Sequence, residues 1–487
     1  MGLTTLAKRV VLAGTIAAGG YLGFKGHEAY NKYQVSKNPV HDQDTFILHL
    51  QKGSTLGDVE LLYDETDAYD FNGWAKMGGI SGAYLIDPAQ KSDADIADII
   101  KDIEKDRDVL DAEFNLQLSI PEGEAEEKGT IKKMGDSLWQ KLNQYVPLQK
   151  GIEGAREAID KVTSYFSDAA KPREDINDPI YKEGKLWGQM VTGMDRLPEL
   201  LQEYGLTADD LSEVKVYVLD TGCDATHEDL LVTADKKDGH GHGTHVAGTI
   251  GALTNNEKGV SSIDAEGVFD LNCIPVLSES GTGDLYTISQ AIVKAADAGA
   301  DVINMSLGGP GKSTLLEKAI KYADDKGTIV VVAAGNSNTD AKNFSPANVE
   351  EAITIGAVGY DKDEGKQSKA PFSNYGTTVD VCAPGMEILS TIPLKSNIGK
   401  QRPDKIYKPG YMELQGTSMA SPHVASLVGM LKAVNPELSR EGIVRILQET
   451  GTEPETDKGK PIGKCIDAYA AVKKALDLAM EWELYEE

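Results

Sequence analysis

Three residues of this chain combine a reactive side chain with a setting suited to covalent chemistry. Asp220 closes the apolar run Val214 to Leu219 and is followed by Thr221 and Gly222, so its carboxylate falls at the tip of a strand. His242 lies in Gly241-His242-Gly243-Thr244-His245-Val246-Ala247-Gly248-Thr249, at the entry of a helical pattern. Ser418 lies in Gly416-Thr417-Ser418-Met419-Ala420-Ser421-Pro422-His423. There it stands between a glycine that permits a tight backbone and a helix that tolerates proline in its first turn. A serine hydroxyl is a weak nucleophile until a histidine takes its proton, and that histidine needs a carboxylate to hold its tautomer and stabilise the imidazolium. The free N–H groups of a helix start can meet the resulting anion. Plainer readings compete: Asp220 as a turn cap, and His240, His242 and His245 as a zinc cluster. Zinc is poorly served, because Asp238 is the only nearby carboxylate. The chain order Asp, His, Ser and the lack of a G-x-S-x-G elbow also disfavour a lipase or esterase of the α/β-hydrolase fold.

Such residues need a scaffold that brings distant segments to one edge. From about 175, short β-rich runs alternate with helical patterns: 214–219, 271–277, 301–306, 328–333, 352–358 and 379–382. That alternation predicts a doubly wound α/β domain with a mainly parallel sheet and helices on both faces. Continuous apolar runs such as Ile329 to Ala334 suit strands covered on both sides. In such sheets ligands gather beyond the C-terminal strand ends, which is where Asp220 falls.

Together with Ser306-Leu307-Gly308-Gly309 and Ala333-Ala334-Gly335-Asn336, the three stretches resemble the subtilisin-like serine proteases over about residues 175–475. The resemblance implies a triad of Asp220, His242 and Ser418, with Asn336 as the oxyanion-hole side chain. It implies a serine endopeptidase working through an acyl-enzyme on protein or peptide substrates. They would bind as an added strand between Ser306, Leu307 and Gly308 on one side and a second edge at Gly281 on the other, with Ala333 and Gly335 nearby. It further implies a structural calcium ion held by the side chains of Asp229 and Asn255 and the carbonyls of Leu253, Glu257 and Gly259, completed by Asp178. A non-catalytic peptide-binding scaffold on the same fold is the alternative.

Residues 44–121 form a separate unit. Phe46, Leu48 and Leu50 alternate as in a strand, and Ala83 to Ile86 make a second. Ile96, Ile99, Ile100 and Ile103 recur at helical spacing, and Leu110 to Ile120 alternate with period two up to Pro121. This small α+β unit resembles the inhibitory propeptide of the same family, which implies a self-inhibited precursor bound by its own propeptide in cis and matured by autocleavage. Residues 122–174 read as an acidic linker with two amphipathic helices, and 476–487 as an acidic tail. At the N-terminus, Lys8 and Arg9 precede the apolar residues 10–24, the pattern of an export signal or short membrane anchor within 1–25. An exported protein, secreted or tethered at the cell surface, is the expectation.

The chain of 487 residues has 49 Lys plus Arg against 77 Asp plus Glu, a net charge of −28. A field of that sign repels phosphate backbones, so nucleic acid is not an expected partner. Four cysteines, Cys223, Cys273, Cys382 and Cys465, are too few for a disulfide scaffold and read as buried free thiols without a bridge.

Overall fold

The computed structural model describes the strands within 46–114, residues 117–120, and residues 172–486 apart from 235–236 and 363. The expected apolar segment 10–24, the helix around 96–103 and the two amphipathic segments of 122–171 lie outside the described residues.

All six strand runs expected in the second half belong to one sheet. Its order across is Lys464–Cys465, Val381–Pro384, Ala352–Asp361, Ile329–Ala333, Val302–Met305, Val214–Asp220, Phe269–Pro275 and Thr233–Ala234. Every pairing along that path is parallel. Lys366–Lys369 is added antiparallel on the far end of the long strand. The alternation of side chains divides the core in two. Val214, Val216, Val218, Val331 and Ile355 pack with the helices His242–Gly251 and Thr417–Val434. Ile303, Val330 and Val332 alternate with these, are equally buried and so face the opposite side, where Leu285–Asp297 and Thr314–Asp325 pack on the sheet. The 417–434 helix is buried almost all round, the pattern of a helix held inside a large core. The segment from 476, expected as a tail, is the second half of a helix, Ala468–Glu486, whose Val472, Ala475 and Leu476 join that core.

The N-terminal unit is a four-stranded antiparallel sheet in the order Ala75–Lys76, Ala83–Ile86, Phe46–Leu50, Val109–Phe114. The alternation running to Ile120 is two strands rather than one. Val109–Phe114 stays in this sheet, whereas Gln117–Ser119 pairs antiparallel with Thr282–Asp284 of the large domain. Period two records only that both faces differ, not which sheet supplies the partners.

The cysteine expectation fails for one pair. Cys223 and Cys273 form a disulfide across a Cα–Cα distance of 6.0 Å, closing a separation of 50 residues. Parallel pairing sets Val218 opposite Cys273, and the loop after Asp220 folds back to bring Cys223 above the same strand. Sequence distance concealed a contact that strand adjacency creates. Cys382 and Cys465 are free and buried.

Candidate active site

Asp220 is the last residue of the Val214–Asp220 strand, and its carbonyl accepts the N–H groups of Val276 at 2.8 Å and Leu277 at 3.1 Å. Its carboxylate is fully buried and accepts His242 Nδ1–H at 2.8 and 2.9 Å on its two oxygens, with Thr221 N–H on Oδ1 at 2.8 Å. A carboxylate in that position fixes the proton on Nδ1 and leaves Nε2 as the basic nitrogen.

His242 is held by residues that motif reading assigned no role. Asp238 accepts from the N–H of Gly241 and Thr244 and from the hydroxyls of Thr244 and Thr221, so one buried carboxylate gathers the start of the histidine helix. Burial raises its pKa despite these donors. Thr221 Oγ1 also accepts Gly243 N–H at 2.9 Å. Gly243 has no substitute, since a Cβ there would lie 2.1 Å from the Gly222 carbonyl oxygen. His245 is not a ligand partner of His242. Its Nε2–H donates to the carbonyls of Ile388 and Met412, and complete burial lowers its pKa to about 3. No group of three or more His, Cys, Asp or Glu suited to a metal occurs among the described residues.

Ser418 sits in the first turn of the 417–434 helix, after Gly416 at φ 151°. Its Oγ donates to the Ser306 carbonyl at 3.2 Å, while His242 Nε2 makes no hydrogen bond. The serine–histidine bond is therefore not formed in this conformation. The Ser306 hydroxyl donates to the Ser418 carbonyl at 2.8 Å and accepts from Asn304 Nδ2, and Ser421 Oγ donates to Asn304 Oδ1, so three buried polar side chains fix the serine turn against the strand end. His423 Nδ1–H donates to the Met419 carbonyl at 2.8 Å, and burial lowers its pKa to about 4, keeping it neutral.

Asn336 is joined to the serine turn by Thr417. Asn336 Oδ1 accepts Thr417 N–H at 2.8 Å and Thr417 Oγ1–H at 2.9 Å. Its Nδ2 is thereby turned toward the serine turn, 3.0 Å from where a Gly416 Cβ would stand. Gly335, at φ 99°, donates to Thr417 Oγ1 at 3.0 Å, and Ala333 ends the preceding strand, buried. Asn374 braces the following loop by accepting the N–H groups of Ser337 and Thr339. Thr417 lay in plain view beside Ser418 and Asp238 a few residues before His242, but Asn374 carried no signal, because its partners are far off in sequence.

Ser306, Gly308 and Gly281 border a cleft that this chain itself fills. Ser119 exchanges two backbone bonds with Gly308, 3.0 and 2.9 Å, and Ile120 N–H donates to the Gly281 carbonyl at 3.1 Å. With the Gln117–Ser119 ladder to Thr282–Asp284, residues 117–120 form the middle strand between both edges. Leu118 is 2% exposed and lies against Gly309, where a Cβ would stand 2.9 Å from its Cδ2. Ile120 packs beside Gly281 and His240. Leu307, between Ser306 and Gly308 on the edge, is wholly buried.

Of the residues expected around calcium, Asp178 and Asp229 are both fully buried. Asp178 accepts the N–H groups of Asn255 and Asn256, and Asp229 accepts Val260 N–H and Asn256 Nδ2. Burial, with the nearby Asp178 charge adding to it, raises the Asp229 pKa to about 7. The amide reaching Asp229 thus belongs to Asn256, whereas both oxygens of Asn255 accept from Asn177. The Gly259 carbonyl accepts Ile180 N–H, Leu253 N–H donates to the Asp229 carbonyl, and Glu257 N–H donates to Asn177. Asn255, Glu257 and Gly259 all have positive φ, which curls the loop tightly around the two carboxylates.

Residues 212–463 match the Subtilase family, and the chain belongs to that family of serine proteases. It is 42% identical over 229 residues to a thermophilic serine proteinase of Bacillus sp. (strain AK1), covering 45% of this chain and 51% of that protein. It is 38% identical over 257 residues to Subtilisin Savinase of Lederbergia lenta, covering 51% of this chain and 86% of that protein. Among solved structures, fervidolysin from Fervidobacterium pennivorans, a keratinolytic enzyme related to subtilisin, has the same fold. It aligns at a TM-score of 0.62 and 21% identity over 95% of this chain and 63% of its own.

Proposed function

We propose that this chain is a serine endopeptidase with Asp220, His242 and Ser418 as its triad, made as a precursor that occupies and then cuts its own cleft. The observations that carry the reading are the buried Asp220–His242 contact and the Ser418 hydroxyl on the Ser306 carbonyl, at the end of a cleft filled by residues 117–120. In the reaction Ser418 Oγ leaves the Ser306 carbonyl, passes its proton to His242 Nε2 and attacks the scissile carbonyl carbon. The imidazolium is stabilised by Asp220, and the oxyanion is met by Asn336 Nδ2 and the Ser418 N–H. His242 returns the proton to the leaving amine. Water then repeats the sequence on the acyl-enzyme.

Chain direction supports a maturation cut just past Ile120. Ser119 opposes Gly308 antiparallel, so the residues after it run toward Ser306, on which Ser418 Oγ rests. A cut near 175, just ahead of the large domain, would have no such support. The cleft strand also suggests a preference for substrates with an apolar residue at the Leu118 position. The disulfide fits an exported protein, and no helix among the described residues is long and apolar enough to cross a membrane.

Calcium is proposed for the 253–260 loop, with Asp178, Asp229 and Asn255 and the carbonyls of Leu253, Glu257 and Gly259 as its ligands. Two buried carboxylates close together, beside an amide and backbone carbonyls, form an oxygen-rich set of the kind calcium takes. When bound, the ion neutralises Asp178 and Asp229 and ties the 178 segment to the loop.

A fluorophosphonate probe tests the function. Covalent labelling of Ser418 after removal of the N-terminal unit supports the protease. A matured protein that stays unlabelled favours the peptide-binding scaffold, a reading to which the unformed serine–histidine bond lends its one observation. N-terminal sequencing of the matured form separately tests the cut.

A further inference from the structure

The two free cysteines sit at the edge of the sheet and outside the triad. Cys382 lies in Val381–Pro384 and Cys465 in the two-residue strand Lys464–Cys465, directly opposite each other in parallel register. Directly paired residues on neighbouring strands have the Cα separation that a disulfide spans. Both side chains are completely buried, and the sulfur atoms stand 3.2 Å apart. Beyond its ladder the edge strand is tied by backbone and thiol bonds: Cys465 exchanges 2.8 and 2.9 Å bonds with Thr452, Ile466 N–H donates to the Cys382 carbonyl at 3.0 Å, and the Cys382 thiol donates to the Gly463 carbonyl at 3.7 Å.

We propose that Cys382 and Cys465 are a second disulfide site, closed by exchange with a small-molecule disulfide of the glutathione type, which locks the sheet edge and the 468–486 helix to the rest of the domain. One thiolate attacks a sulfur of the small disulfide, forming a mixed disulfide and expelling one thiolate. The second cysteine then attacks the protein sulfur and expels the other. The two protein thiols give up two electrons and two protons, and the small disulfide becomes two thiols. The Cys223–Cys273 bridge is an independent sign that the chain folds where such oxidants act. Burial raises the Cys382 thiol above its usual range, so the thiolate is scarce once the edge has docked. Closure therefore belongs to folding or to a transient opening of the edge.

The bridge would reach the active site through the backbone. Val381–Pro384 runs into Gly385, whose N–H donates to the Val358 carbonyl and whose carbonyl accepts Gly416 N–H at 2.8 Å, two residues before Ser418. A fixed edge strand thus steadies the turn that presents the nucleophile.

Intact mass tests the proposal on the full chain carrying Ser418→Ala, which prevents autolysis. The purified protein is incubated with glutathione disulfide, denatured without reductant and alkylated with iodoacetamide. No adduct, with a peptide joining Cys382 to Cys465, is the expected result; an adduct on either residue, or either one bridged to Cys223 or Cys273, overturns it. The double variant Cys382→Ala and Cys465→Ala should melt on the order of 10 °C lower than the oxidised protein. An unchanged melting temperature would refute the locking role. If the variant does not fold, the adduct count alone decides.

Discussion

At the residue scale the proposed active site separates groups that would move protons from groups that would hold them. His242→Ala should abolish turnover and leave a full-length precursor, since Ser418 then has no base. His240→Ala should keep most of its turnover and alter chiefly apparent substrate affinity, because His240 borders the cleft beside Ile120. Equal loss of kcat in both would show that the histidines act together. Asn336→Ala should lower kcat by roughly 100- to 1,000-fold with little change in KM, a magnitude inherited from an equivalent amide in a subtilisin. Steady-state kinetics reads both. His245 makes a stability prediction with a definite sign. Its folded pKa of about 3 lies below the unfolded 6.5, so its contribution is complete above pH 6.5 and is lost as pH falls toward 3. The loss is about 1.4 kcal/mol per pH unit. Asp195 and Asp380, both raised to about 6 by burial, change stability in the opposite sense over the same range. They cancel in a difference. The stability of wild type minus that of His245→Gln should therefore shrink steadily from pH 6.5 to 4 in denaturant titrations; a constant gap would mean that His245 is not held neutral.

At the element scale, the 117–120 strand combines backbone pairing on two edges with one deeply buried anchor. Burying a leucine contributes roughly 2–3 kcal/mol, so Leu118→Ala should weaken self-occupancy of the cleft by about that much. Backbone bonds from Ser119 and Ile120 would survive. In a time course with a chromogenic peptide, the lag before activity should shorten. An unchanged lag would show that residues 117–120 do not control access.

For the whole molecule, the 253–260 loop is where remote segments are joined. A small core of Ile176, Ile180, Tyr181, Leu186, Met190, Ala252, Val260, Leu389 and Tyr411 packs the start of the large domain against this loop, and Asp178 and Asp229 lie beside it. Calcium at a hundredfold excess over its dissociation constant would stabilise by about 2.7 kcal/mol. Chelation should lower the melting temperature of the Ser418→Ala protein, and Asp229→Ala should erase the difference between calcium and chelator. Melting that ignores chelator in both proteins would remove the ion from this account.

Six of the nine strands described in the large sheet were legible because they are short, mostly apolar runs, a composition that burial on both faces favours wherever the strand lies. The stretches around Asp220, His242, Ser418 and Asn336 stand out in the sequence because their glycines are required, by a close backbone approach at Gly243 and by a positive φ at Gly335. Tertiary structure decided what depends on neighbours far apart in sequence. The Cys223–Cys273 bridge follows from one strand lying beside another. Asn256 rather than Asn255 reaches Asp229 because positive φ values turn the loop by one residue. The alternation up to Ile120 reads as one strand because period two reports burial, not partners; only the docked domain shows that its last residues lie in the active-site cleft.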